Sequence, residues 1–104
     1  DVSCSELLYQ ADIVINVTSL GLLDTDSLPV HNIDWFRPDH CLIDVIYNPK
    51  ETRFLSLGRQ HGLKTMNGLA MLIAQAAYAF ELFFDVDAPL DLFFSMMEEL
   101  EDIL

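Results

Sequence analysis

Apolar residues gather along this chain in two kinds of run. Two runs are short and continuous, residues 12–17 (Asp-Ile-Val-Ile-Asn-Val) and residues 41–46 (Cys-Leu-Ile-Asp-Val-Ile). Such β-branched runs without polar alternation predict strands buried on both faces. Residues 63–66 could add a short third strand. The other runs are longer and helical. Residues 3–10 read as the tail of a helix, and residues 33–36 as one helical turn stopped by Pro38. Asn48, Pro49 and Glu51 spell a helix start, with Asn48 as the cap, Pro49 at the first helical position and Glu51 three residues after the cap. That helix runs to about Gln60, and Gly62 ends it. Asn67 is placed to cap an apolar helix over 68–84. After a polar boundary at 85–89, Leu90, Phe93, Phe94, Met97, Leu100 and Leu104 recur at helical spacing with acids between them.

Buried strands separated by helical material predict parallel pairing in an α/β sheet. Two or three strands are too few for a complete doubly wound sheet. The glycines stand at 21, 58, 62 and 68, so no Gly-x-Gly-x-x-Gly phosphate loop can be written from them. Either the fold binds no dinucleotide, or the first βαβ half lies outside this sequence.

Composition adds a second constraint. The chain has 104 residues, the size of one modest domain, and 52% of them are hydrophobic. A small domain has proportionally more surface and should be more polar than average. The excess predicts apolar surface covered by another domain, a subunit or a membrane. Charge narrows the choice. There are 17 acids against 5 bases, and every base lies between Arg37 and Lys64. Phosphate neutralisation and adsorption to anionic lipid both need the opposite balance, so nucleic acid and membrane surfaces are excluded as partners. The apolar run at 68–84 contains Gln75 and Glu81, lacks flanking bases and is short for a span, which predicts a buried helix instead. Cys4 and Cys41 form no metal-like spacing with each other or with His31, His40 and His61, so no metal site is expected. They read as reduced thiols of a cytoplasmic protein, and no signal peptide opens the chain.

Candidate chemistry follows from the strand ends, because ligands of open parallel sheets bind beyond their carboxyl edge. Thr18 and Ser19 follow the first strand, and Tyr47 follows the second. Each could equally be an ordinary turn or strand-end residue. Asn67 and Gly68 open the apolar helix, where free N–H groups and the helix dipole suit an anion and glycine permits close approach. They could also be a simple cap. Asp44, inside a strand, needs a hydrogen-bonding partner and could be purely structural. Gln75 is an amide in an otherwise apolar stretch. It shares a face with Gly68 and Met71, spanning roughly 10 Å over two turns. That face could run from a cofactor to a substrate, or Gln75 could be a core amide bonded to backbone.

Three segments resemble motifs of the shikimate dehydrogenases. Residues 11–21 (Ala-Asp-Ile-Val-Ile-Asn-Val-Thr-Ser-Leu-Gly) are similar to their N-A-T-S-x-G segment, and residues 44–55 to D-x-x-Y-x-P-x-x-T-x-L. Residues 67–77 (Asn-Gly-Leu-Ala-Met-Leu-Ile-Ala-Gln-Ala-Ala) are similar to N-G-x-x-M-L-x-x-Q-A-A. The resemblance implies the second half of a Rossmann-like, parallel-sheet NADP-binding domain over residues 1–67. It implies that carboxy-terminal helices over 68–104 pack toward an amino-terminal substrate domain that this sequence lacks. It implies an oxidoreductase that reduces 3-dehydroshikimate to shikimate with NADPH, in aromatic amino-acid biosynthesis. Thr18, Ser19 and Met71 would line the pocket near the nicotinamide and its ribose, and the backbone of Val45 and Gly68 would touch the cofactor. Tyr47 and Gln75 would contact hydroxyl or carboxylate groups of the substrate. The family's catalytic Lys and Asp, its glycine-rich loop and its basic 2′-phosphate motif have no counterpart here, so no catalytic residue is named. Leu22 stands where the family often has Met, Ala70 where it usually has Gly, and residues 90–104 match no motif. Quinate-using members share these motifs, and a homodimer stays open as an assembly. The competing expectation is a non-catalytic Rossmann-like module that binds a protein through its acidic, apolar helices.

Overall fold

The computed structural model describes residues 4–30 and 32–104. Ser3 and His31, which figured in the sequence reading, lie outside the described residues. The chain divides into two compact units, Asp1–Asn67 and Gly68–Leu104.

The first unit runs α1 (Cys4–Gln10), β1 (Ile13–Asn16), a single 3-10 turn (Ile33–Trp35), β2 (Cys41–Asp44), α2 (Arg53–Gln60) and β3 (Lys64–Met66). The strands form one sheet in the order β1-β2-β3, parallel throughout. This is the parallel α/β core that the apolar runs predicted. Register pairs Val14 with Leu42, Asn16 with Asp44 and Leu42 with Thr65, so these side chains share one face of the pleat. α2 covers that face. Leu42, Phe54, Leu55 and Leu63 form its core, with Val14, Leu28 and Phe36 packed around them.

Burial on both faces does not hold for β1. Ile13 is 55% exposed and Ile15 50%, because β1 has one strand neighbour and α2 covers only the opposite face. β2 alternates between half-buried and buried positions and ends at Asp44.

The start of α2 also differs from the expected one. The cap is Thr52, not Asn48, and the helix begins at Arg53. Asn48 and Pro49 are joined by a cis peptide bond in the preceding turn. Thr52 wins because its hydroxyl serves twice, accepting from the Leu55 N–H at 3.4 Å and donating to the buried Asp44 at 2.8 Å. Glu51 turns outward to Arg59 at 2.9 Å, and this hydrogen bond holds its carboxyl below the usual range. At the other end Gly62 behaves as expected. With φ +77 it lets the Leu63 N–H reach the Gly58 carbonyl at 2.9 Å and its own N–H reach Arg59 at 3.0 Å. This is the paired closure of a Schellman motif.

Gly58 marks the closest approach of α2 to the sheet. A Cβ there would stand 2.6 Å from Leu42 Cδ1 and 3.2 Å from Thr65 Cγ2. Leu42 is fully buried and has little room to yield. Gly58→Val is therefore expected to destabilise the intact protein by about 2–4 kcal/mol, more than the roughly 1 kcal/mol that removing a helical glycine returns. Urea denaturation checks this, and an unchanged midpoint would refute the close packing.

The second unit is a helical pair, α3 (Leu69–Phe84) and α4 (Leu90–Ile103). Asp85, in the left-handed region at φ 52, ends α3. Ile73, Ala77, Ala88 and Phe93 form the seam, with Phe80 edge-on to Phe93 at 5.9 Å between ring centroids. The Glu81 carboxylate accepts from the Ala88 N–H at 3.1 Å and fastens the connecting turn. The expected buried helix is only partly realised. α3 buries the stripe Leu69, Ile73 and Ala77, while Leu82 and Phe83 are 85% and 84% exposed. Within this unit α4 packs on Ile73 and Ala77, and one partner helix leaves the other faces of α3 uncovered. Among the described residues no helix is long and apolar enough to cross a membrane.

Candidate functional site

The carboxyl edge of the sheet carries a cavity of about 510 Å³ lined by Val17, Thr18, Ser19, Leu22, Val45, Ile46, Tyr47 and Asn48. These residues come from the segments that leave β1 and β2, so neighbouring parallel strands deliver both walls. Four of the candidate residues, Thr18, Ser19, Val45 and Tyr47, are thereby brought together. Thr18 and Ser19 are exposed, Val45 is half-buried, and Tyr47 is 38% exposed. The lining combines aliphatic groups with hydroxyls and one amide, as suits a ring held by its faces and oriented by its polar edge.

The other three candidates lie in the second unit. Gly68 is the N-cap of α3, with no side-chain hydrogen bond at the cap. The expected cap, Asn67, instead donates its side-chain amide to the Lys50 carbonyl at 3.0 Å. A glycine immediately after it leaves the helix start free of a competing side chain. Met71 is 52% exposed. Gln75 is exposed too, so its amide takes no part in the core of the helical pair. The buried stripe of α3 advances by four from Leu69, and this phase turns Met71 and Gln75 away from it.

Beneath the cavity lies a polar cluster that sequence reasoning recovered only in part. Asn16, Asp44 and Thr52 are 3%, 0% and 2% exposed. Asp44 accepts from Asn16 Nδ2 at 3.2 Å, from the Ile46 N–H at 3.0 Å and from Thr52 Oγ1 at 2.8 Å. The expectation that Asp44 needs a partner is thus met three times over. Asn16 Nδ2 also donates to the Leu20 carbonyl at 3.2 Å. Its Oδ1 accepts from the Thr18 N–H at 3.0 Å and the Thr18 hydroxyl at 2.6 Å. Asn16 does not stand out in the sequence, because it lies inside an apolar run. The usable signal is a polar residue after three apolar ones in each run, Ile-Val-Ile-Asn and Cys-Leu-Ile-Asp: both strands end at that residue, and parallel pairing sets the two ends side by side.

Elsewhere in the unit Arg37 ties the exit of α1 to β1. Its guanidinium donates to the carbonyls of Tyr9 and Ala11 and pairs with Asp12 at 3.3 Å. Cys4 and Cys41 are free thiols.

The fold and site agree with what the chain is similar to. The family description "Shikimate 5'-dehydrogenase C-terminal domain" matches residues 68–93. The shikimate dehydrogenase (NADP(+)) of Symbiobacterium thermophilum is 46% identical over 86 residues, covering 81% of this chain and 29% of the relative. Among solved structures, the shikimate 5-dehydrogenase of Thermus thermophilus, in complex with NADP(H) and shikimate, superposes with a TM-score of 0.79. It is 29% identical and covers 93% of this chain and 37% of its own. The quinate dehydrogenase of Corynebacterium glutamicum, in complex with NAD, gives a TM-score of 0.75 at 31% identity. It covers 96% of this chain and 34% of its own. The chain thus spans about a third of the length of the relatives it matches. Motifs in order, a parallel sheet with its cavity at the carboxyl edge, and these similarities together show that the chain belongs to the shikimate/quinate 5-dehydrogenase family, as a carboxy-terminal region of it.

Proposed function

We propose that this chain is the cofactor-side portion of a cytoplasmic, NADP-dependent shikimate dehydrogenase, which reduces 3-dehydroshikimate to shikimate in aromatic amino-acid biosynthesis. The observation that carries the proposal is the cavity beyond β1 and β2, where Thr18, Ser19, Val45 and Tyr47 converge. A dinucleotide-binding sheet receives its nicotinamide at such an edge. NADPH, when bound, supplies the hydride. Thr18, Ser19 and the Val45 backbone orient the nicotinamide end, and the hydroxyl of Tyr47 meets the substrate. Gly68 gives the cofactor access to the start of α3, Met71 packs beside it, and Gln75 bonds substrate hydroxyls. The glycines of this chain form no phosphate loop, so the pyrophosphate is held by residues of the first βαβ half. On this reading residues 1–67 complete the dinucleotide domain and the helices of 68–104 pack toward the substrate domain. The exposed Leu82, Phe83 and Phe84 supply apolar surface for that contact.

The test is an assay of the intact protein that carries this segment, with shikimate or quinate and with NADP or NAD. Oxidation of shikimate with NADP supports the proposal, and a preference for quinate with NAD supports the second reading, which the similarity to the quinate enzyme favours. Turnover of neither substrate would overturn both and leave a binding module. The isolated 104-residue chain is expected to be inactive, since neither a phosphate loop nor a Lys–Asp pair for proton transfer is assigned to it. In the intact protein Gly68→Leu is expected to weaken NADP binding at least about tenfold, because a branched side chain would stand where the cofactor approaches the backbone. Unchanged affinity in a folded variant would remove Gly68 from the cofactor site.

A further inference from the structure

We propose that Asp44 is a positioning residue that fixes, through Asn16, the hydrogen-bond polarity of the Thr18 hydroxyl, so that Thr18 meets a ligand only as an acceptor. The inference rests on the dinucleotide reading for the identity of the ligand, but its chemistry is set by the network alone.

Asp44 offers only acceptor oxygens to its neighbours, so the Asn16 side chain must turn its NH₂ toward it. Asn16 Nδ2 lies 3.2 Å from both carboxylate oxygens. The Thr18 backbone N–H can only donate, and it meets Asn16 Oδ1 at 3.0 Å. Both ends of the amide therefore demand the same orientation. Oδ1, now fixed as an acceptor, takes the one hydroxyl proton of Thr18 at 2.6 Å. One lone pair of that hydroxyl accepts from the Leu20 N–H at 3.1 Å. A single lone pair remains for the cavity that Thr18 lines. Thr18 can accept from an amide N–H or a sugar hydroxyl, both of which a nicotinamide nucleoside carries. It has no proton left for a carbonyl or phosphate oxygen.

The same carboxylate holds the second wall. It accepts from the Ile46 N–H at 3.0 Å, between the lining residues Val45 and Tyr47. Thr52, through its hydroxyl at 2.8 Å, keeps the carboxylate in place from the start of α2. One buried group thus sets both segments that line the cavity.

The experiment uses the intact protein with Asp44→Asn, with Thr52→Val in case the first variant does not fold, and with Thr52→Ser as the conservative control. Two quantities are read: amide hydrogen exchange at Thr18 and Leu20 relative to Leu63, whose N–H is bonded within the α2 closure, and the dissociation constant for NADP. Asp44→Asn or Thr52→Val is expected to speed exchange at Thr18 and Leu20 about tenfold more than at Leu63, and to raise the dissociation constant about tenfold. Thr52→Ser is expected to restore both. Exchange that rises equally at all three amides would show a merely structural role and overturn the proposal. Selective loosening with unchanged NADP affinity would overturn the assignment of Thr18 as a ligand acceptor. A wild-type protein that binds no dinucleotide would instead overturn the functional reading, while the exchange comparison still decides whether Asp44 positions the loop.

Discussion

Replacing Gln75 with leucine in the intact protein is expected to lower kcat/KM for shikimate at least about tenfold, roughly 1.4 kcal/mol of transition-state stabilisation. Stability should change by less than about 0.5 kcal/mol, the range of surface substitutions. The two halves of the expectation come from separate facts. Gln75 is exposed on α3, away from the Leu69, Ile73 and Ala77 stripe, so its amide holds nothing in the core of the helical pair. A site built to bond a hydroxyl loses heavily when an apolar group takes the partner's place. NADP affinity should hold, because Gln75 lies about 10 Å, two helical turns, beyond Gly68. Steady-state kinetics with thermal melting read both quantities. Normal kcat/KM with a shifted melting temperature would show the residue to be structural.

Asp44→Ala should be far more damaging to the fold. Removing the carboxylate leaves Asn16 Nδ2, the Ile46 N–H and the Thr52 hydroxyl without their shared acceptor. Asn16 and Thr52 are almost wholly buried, so water cannot easily replace it. A buried group left unsatisfied costs about 1–3 kcal/mol. Three together should cost at least about 3 kcal/mol, a large part of the 5–15 kcal/mol that stabilises a typical domain. Denaturant titration of the intact protein should show the loss, or the variant should fail to accumulate in folded form. A loss below about 1 kcal/mol would mean that the cluster is wetter than its burial indicates.

These effects would be hard to rank from the sequence, although much of the architecture is visible in it. The apolar runs are strands because stiff side chains such as Ile13, Val14 and Ile15 favour extended backbone, and they pair in parallel because each connection is long enough to cross over, α2 between β2 and β3 and a loop with one 3-10 turn between β1 and β2. Gly62 ends α2 because an αL position is needed where glycine stands. Local grammar misled where a tertiary partner outbid it. Asn48 and Asn67 both satisfy capping rules, yet Thr52 caps α2 because a buried carboxylate holds its hydroxyl, and Asn67 is drawn to the Lys50 carbonyl.

The order and type of the elements, the lack of a glycine-rich loop among these 104 residues, and the motifs that place Thr18, Tyr47 and Gly68 at strand and helix ends are legible in the sequence. All of these depend on residues close together in the chain, where propensity and spacing act directly. Which faces are covered, the exposure of Gln75 and the side-by-side placing of Asn16 and Asp44 emerge only from long-range packing. Those two residues are 28 positions apart, and nothing local fixes the register that joins them. That register follows from packing Leu42 and Val14 beneath α2, where Gly58 allows the helix to come close.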